Sequence, residues 1–134
     1  MNLSLNYQKG LIQIKDISKK EDIPIKYLEQ IVLILKGAGY IRSRRGPSGG
    51  IQLAKAPEKI RLGEIIRLMD GTTAPITCVS KTEKSNCNDI HRCPFRDVFV
   101  EIRESINNIV DNTTFADMVE KIRRMSTKSP DYSI

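Results

Sequence analysis

The sequence predicts a mainly α-helical chain with one small β-hairpin, and three observations carry that prediction. Apolar residues recur at helical spacing through residues 25–36, 62–70, 94–111 and 114–125. Two short extended runs, residues 40–44 and 51–53, flank the glycine-rich stretch Gly46-Pro47-Ser48-Gly49-Gly50. The three cysteines, Cys78, Cys87 and Cys93, fall on one polar segment that has neither a helical nor a strand period.

Each element follows from local chemistry. Residues 1–10 read as the end of a helix, with Leu3 and Leu5 before Tyr7 and a stop at Lys9-Gly10. Ile12 and Ile14 are extended or lead into a short helix over residues 15–20. The break Glu21-Asp22-Ile23-Pro24 follows, and Pro24 suits a first helical turn. The next helix, residues 25–36, places Ile25, Leu28, Ile31, Val32 and Leu35 on one face, and Gly37 and Gly39 end it. The extended pair forms a hairpin with an enlarged, basic tip. Residues 57–61 are a linker, and a helix over 62–70 is closed by Gly71.

Beyond the polar segment 72–93, Pro94 opens a long helix to about Asp111, with Val98, Phe99, Ile102, Ile106, Ile109 and Val110 apolar. A last helix starts near Thr114, where Thr114-x-x-Asp117 is a capping box, and runs to Met125. The tail from Ser126 is expected to fray. The chain therefore divides into residues 1–71, the cysteine loop 72–93, and two helices in 94–134.

Charge is unevenly placed. Residues 1–71 carry 13 Lys/Arg against 7 Asp/Glu, whereas residues 72–134 carry 9 of each. The excess implies an anionic partner for the first half. No apolar run is long enough to span a membrane, and no secretory signal begins the chain, so a cytoplasmic protein is expected.

Short helix, turn, helix and basic hairpin, in that order, form a winged helix-turn-helix. In this motif the second helix enters the major groove of double-stranded DNA. Its exposed positions here are Lys26, Tyr27, Glu29 and Gln30. Gln pairs with adenine, Glu accepts from the cytosine amino group, and Lys26 and Tyr27 suit phosphates. The bland reading is a solvated helix face. In the wing, Arg42, Arg44 and Arg45 suit a narrow minor groove, and Gly46, Gly49 and Gly50 let a backbone approach closely. A basic tip can also serve solubility, but its place just after the candidate recognition helix favours DNA.

The cysteines, spaced C-x8-C-x5-C, are odd in number, which argues against a closed disulfide framework. Clustered thiolates suit a soft metal or an iron–sulfur cluster. There is no C-x-x-C pair, phosphate-binding glycine loop or catalytic carboxylate pair, so an enzyme, a thiol redox enzyme included, is disfavoured.

Tyr27-Leu28-Glu29-Gln30-Ile31, then residues 39–50 reading GYIRSRRGPSGG, then Leu62-Gly63-Glu64-Ile65-Ile66 resemble the Rrf-two family of bacterial winged-helix regulators. That family includes IscR-like iron–sulfur and NsrR-like nitric-oxide sensors, and the likeness runs in order along nearly the whole chain. It implies a transcriptional regulator that forms a homodimer through the helix at 94–111 and binds a palindromic operator. It also implies DNA contacts at Lys26, Tyr27, Glu29, Gln30 and Arg45 with its neighbours.

Two departures from the family pattern qualify these expectations. The chain begins near the end of the family's fuller first helix, which implies weakened stability or DNA affinity. The position of the histidine ligand in IscR-like members is Arg96, whose guanidinium cannot ligate. The acidic ligand of NsrR-like members would lie in the missing N-terminal segment. His91, the one histidine, is the possible fourth ligand; a Cys3His set also suits zinc. The expected cofactor is an iron–sulfur cluster of two or four irons, with zinc, or no metal and free thiols in a mobile loop, as alternatives.

Overall fold

The computed structural model describes residues 1–127, which fold as six helices and one antiparallel hairpin. They cluster into two compact units, Met1–Ile60 with the residues from Thr114 onward, and Arg61–Thr113.

The first unit begins with α1 (Asn2–Leu5), α2 (Ile14–Glu21) and α3 (Ile25–Gly37). Between α2 and α3 the chain turns sharply. Asp22 adopts a left-handed conformation (φ +52°), Ile23 N donates to the Ser18 carbonyl at 3.0 Å, and Ser18 Oγ donates to the Ile23 carbonyl at 2.7 Å. Pro24 has φ −53° and ψ 128°, so it caps α3 from outside and does not occupy its first turn. That extended ψ sends the chain into a new helix axis. At the other end Gly39 takes φ +78°, Gly39 N donates to the Lys36 carbonyl, and Tyr40 N to the Leu35 carbonyl. This paired C-terminal closure needs the left-handed residue at position 39, whereas Gly37 remains helical.

Strands β1 (Ile41–Arg44) and β2 (Gly50–Leu53) pair with Ile41 opposite Leu53 and Arg44 opposite Gly50. Ile12 adds a bridge to Ile51, each residue's N–H donating to the other's carbonyl at 3.0 and 2.8 Å. The extended alternative for Ile12 is the one adopted. Ile17, Leu28, Val32, Ile41 and Ile51 form the core, with Leu3, Ile12, Ile14, Ile23 and Leu35 packed around it. Each such burial contributes roughly 1.5–3 kcal/mol. Ile25, expected on this inner face, is 45% exposed because it sits in the first turn, beyond the reach of the core.

The last helix, α6 (Phe115–Thr127), belongs to this same unit. Phe115 N donates to the Ile60 carbonyl at 3.0 Å, and Val119 is buried. Its capping box forms as expected: Asp117 accepts from Thr114 N at 2.8 Å, and Asp117 N donates to Thr114 Oγ1 at 3.2 Å. The helix continues two residues beyond Met125; the rest of the tail lies outside the described residues.

The second unit contains α4 (Leu62–Asp70), a 3₁₀ turn at Thr77–Val79, and α5 (Arg96–Asn112). The long helix starts two residues later than Pro94, because residues 94 and 95 form a turn in which Arg96 N reaches the Cys93 carbonyl at 3.3 Å. Arg67 joins α4 to α5, its Nη1 and Nη2 lying 2.7 and 2.8 Å from the two Asp111 carboxylate oxygens. Gly63 makes room for this pair, since a Cβ there would lie 2.1 Å from Asp111 Oδ1. These contacts place α4 with α5 in the second compact unit.

The hydrogen bond from Arg67, reinforced by its charge, holds the Asp111 carboxyl below the usual aspartate range. A depressed carboxylate stabilises the fold above its unfolded pKa of about 3.9, and that contribution is lost as pH falls through the lower folded value. Both side chains are part-exposed (32% and 42%), so solvent screening keeps the contribution within about 1 kcal/mol. Asp111→Asn is therefore expected to lower urea stability modestly near neutral pH and to converge with the parent protein in strong acid. An unfolding series across pH, followed by circular dichroism, checks this.

No helix among the described residues is long and apolar enough to cross a membrane.

Candidate nucleic-acid interface and cysteine loop

Helix α3 separates its two faces cleanly. Leu28 and Val32 are 7% exposed and hold the helix to the core, while Lys26, Tyr27, Glu29 and Gln30 are exposed. Spacing of 3.6 residues per turn forces this division once residues 28 and 32 are inside. The four polar or aromatic side chains thus share the solvent side of the first two turns.

The wing follows directly. Arg42, Arg44 and Arg45 are exposed, and among the described residues neither they nor Lys26 form an ion pair. Four uncompensated cations on one small unit are the feature an anionic backbone needs. The tip is a built turn: Gly46 takes φ +108°, and Gly49 N donates to the Gly46 carbonyl at 2.9 Å. Two further bonds brace the wing. Lys36 Nζ at the end of α3 donates to Ser43 Oγ at 2.7 Å, and Gln13 Nε2 reaches the Pro47 carbonyl at 3.4 Å. Neither brace is visible as a motif, although a lysine in a last helical turn is a weak pointer to the first.

The wing's own packing requires two of its glycines. Gly49 is buried, and a Cβ there would lie 2.3 Å from the Arg44 carbonyl oxygen. A Cβ on Gly50 would lie 2.6 Å from the Ile12 carbonyl oxygen. The absence of side chains at 49 and 50 is thus explained by the hairpin itself. Gly46 has open space around it and is the glycine exposed at the tip.

The cysteine segment is irregular, as expected, but it is anchored at one end. Val79, beside Cys78, is the most deeply buried apolar side chain among the described residues at 1% exposure, and its carbonyl accepts from Arg103 Nη1 at 2.5 Å. Cys78 and Cys93 are part-buried, whereas Cys87 and His91 are exposed. Among the described residues no three His, Cys, Asp or Glu side chains are gathered so as to hold a metal ion. The donor set has the right chemistry for a soft metal, but this arrangement of the loop does not bring the donors together. As folded here, the residues do not fit a cluster.

A recognition-type helix followed by a basic, braced hairpin defines a winged-helix DNA-binding regulator of transcription. A family model described as "Iron-dependent Transcriptional regulator", Rrf2, matches residues 1–121. The chain belongs to the Rrf2 family. An rrf2-like HTH-type transcriptional regulator of Rhodobacter capsulatus is 37% identical over 111 residues, covering 81% of this chain and 74% of the relative. Among solved structures, CymR, described as the global cysteine regulator of Bacillus subtilis, superposes with a TM-score of 0.72 at 28% identity. That match covers 90% of this chain and 86% of CymR. IscR of T. potens gives a TM-score of 0.73 at 27% identity, covering 92% of this chain and 80% of the other.

Proposed function

We propose that this regulator binds a palindromic DNA operator as a homodimer, with α3 in the major groove and the wing against the flanking backbone or minor groove. The observation that carries this reading is the pairing of an exposed Lys26-Tyr27-x-Glu29-Gln30 face with a wing of three exposed arginines, none of them ion-paired among the described residues. Gln30 and Glu29 are the base readers; Lys26, Tyr27, Arg42, Arg44 and Arg45, with Gly46 at the tip, hold the backbone or groove. Gly49 and Gly50 shape the wing that presents them. Dimerisation through α5 rests on its exposed apolar stripe, and a cytoplasmic location follows from the need to reach DNA.

Selecting bound fragments from a genomic library tests this directly. The expected product is an inverted repeat with half-sites about one helical turn apart, or a multiple of it. Recovery of fragments without a shared repeat would count against it.

For the signal, the reading is that the cysteine loop carries thiol chemistry; in its first form an iron–sulfur cluster on Cys78, Cys87 and Cys93 would draw together donors that this arrangement of the loop holds apart. Support comes from the concentration of every thiol on one loop and from the family's description as iron-dependent. The dispersed donors favour a second form, metal-free thiols answering another signal, as a neighbour described as a cysteine regulator suggests, with a zinc site as its metal-bound variant. His91 is the fourth-ligand candidate in either metal form. Anaerobic reconstitution with iron and sulfide analysis separates them. Bound iron and sulfide lost in Cys87→Ala supports the cluster, zinc without sulfide supports the second form, and metal-free protein leaves thiol chemistry alone.

A further inference from the structure

The second unit holds a polar cavity of about 540 Å³ between the segment after α4 and one side of α5. Its wall presents Arg67, Lys81 and Arg103 beside Glu104, Asp111 and Asn107. Arg67 pairs with Asp111, while Lys81 and Arg103 share the single carboxylate of Glu104 at 3.2 and 2.5 Å, so one positive charge is left over on that side. Arg103 is the most buried of these five charged groups, its side chain 13% exposed. Its two terminal nitrogens donate to the Val79 carbonyl and to Glu104, yet its Nε is buried with no hydrogen-bond partner among the described residues. That Nε has almost no accessible surface, so a solute in the cavity meets Arg103 through its terminal nitrogens.

Asn107 supplies a free donor. Its Oδ1 accepts twice, from Arg67 Nη2 at 2.9 Å and Thr73 Oγ1 at 2.5 Å. Its Nδ2 has no acceptor among the described residues. A free donor and a positive excess call for an anionic group. The two carboxylates restrict which anion fits: they oppose a dianion, but they welcome an ammonium on the same molecule. Threonine and asparagine side chains make up the rest of the lining, so a polar side chain is preferred. The volume lies in the ordinary range for small-ligand sites.

We propose that this cavity binds a small polar amino-acid zwitterion, its carboxylate toward Lys81 and Arg103 and its ammonium toward Glu104 or Asp111. Thr72, Thr73 and Ala74 lie on one side of Cys78 and Lys81 and Thr82 on the other, so an occupant would tie the cysteine loop's root to α5. Its role as an effector of DNA binding rests on the regulator reading above; its binding does not.

Isothermal titration and thermal unfolding of the whole protein with serine, cysteine, asparagine and glutamine provide the test, with leucine, succinate and inorganic phosphate as comparators. At least one polar amino acid is expected to give saturable heat and a concentration-dependent rise in Tm. Lys81→Met, at a side chain 65% exposed, keeps the fold and is expected to weaken that binding about tenfold. The proposal is overturned if no polar amino acid binds, if succinate, phosphate or leucine binds as well, or if Lys81→Met binds like the parent. A gel shift on the same preparation without amino acid reads the regulator function separately. Failure there with binding intact would defeat the regulator reading and not the cavity.

Discussion

Ile102→Glu is expected to turn the protein monomeric in sedimentation and to weaken operator binding by about 10²–10⁴-fold, the avidity lost when two linked half-site contacts become one. Helix α5 divides its apolar residues between two faces. Phe99, Ile106 and Val110, seven and four residues apart, are its less exposed apolar residues, and Val110 is buried. Phe95, just before the helix, with Val98, Ile102 and Ile109, three, four and seven residues apart and 67%, 55%, 40% and 65% exposed, form an adjoining exposed stripe. A row of four large apolar side chains in water is disfavoured, and in the proposed homodimer a second copy of the helix would cover it with matching chemistry. A carboxylate at Ile102, near the middle of the row, would have to be buried without a partner in the dimer. Unaltered dimerisation of the variant, or a monomeric parent protein, would remove α5 as the interface.

Gly49→Ala carries the second large effect, this time on the wing. The added Cβ would meet the Arg44 carbonyl oxygen at 2.3 Å, the Arg45 carbonyl carbon at 2.9 Å and the Gly46 carbonyl oxygen at 2.9 Å. All three are backbone atoms, so no side chain can swing aside. The tip must open and lose the bond from Gly49 N to Gly46, at a cost of about 1–3 kcal/mol or more. Denaturant unfolding is expected to show that loss in Met1–Ile60 while the contacts of α4 with α5 persist. DNA affinity is expected to fall with it, because the three arginines lose their common platform. Wild-type stability and affinity in this variant would show that the wing does not need its tight tip.

Much of this fold was legible because local chemistry and tertiary packing agree. Leu28 and Val32 lie at helical spacing and are buried; the glycines at 39 and 71 stop helices where a positive φ is required. The Thr114–Asp117 box needs only its own four residues, and it forms. What escaped is what depends on distant partners. Arg67 and Asp111 are 44 residues apart, and nothing near either announces the other. Their pairing, with the space left by Gly63, moves α4 to the side of α5. Ile25 fits the α3 period yet finds no neighbour, since periodicity describes a face and not what covers it.

The candidate site divides in the same way. The exposure of Lys26, Tyr27, Glu29 and Gln30 follows from the burial of Leu28, so the helix face could be read directly. The structural need for Gly49 and Gly50 could not, because it depends on Ile12 and on the hairpin's closure. Clustering in sequence also overstated clustering in space for the cysteines. Sixteen irregular residues from Cys78 to Cys93 allow the thiols to be far apart, and here they are not gathered. Val79, an unremarkable valine in a polar stretch, is what fixes the loop's root.

The central claim is that the first unit reads DNA with α3 and the arginine wing. Its most direct test is the affinity of the dimer for a selected operator, measured across a salt series in parent protein and Arg45→Ala. Log affinity is expected to fall steeply with log salt, and the variant to bind more weakly with a slope shallower by about one phosphate contact. A salt slope near zero, or an Arg45→Ala variant indistinguishable from the parent in both affinity and slope, would contradict it.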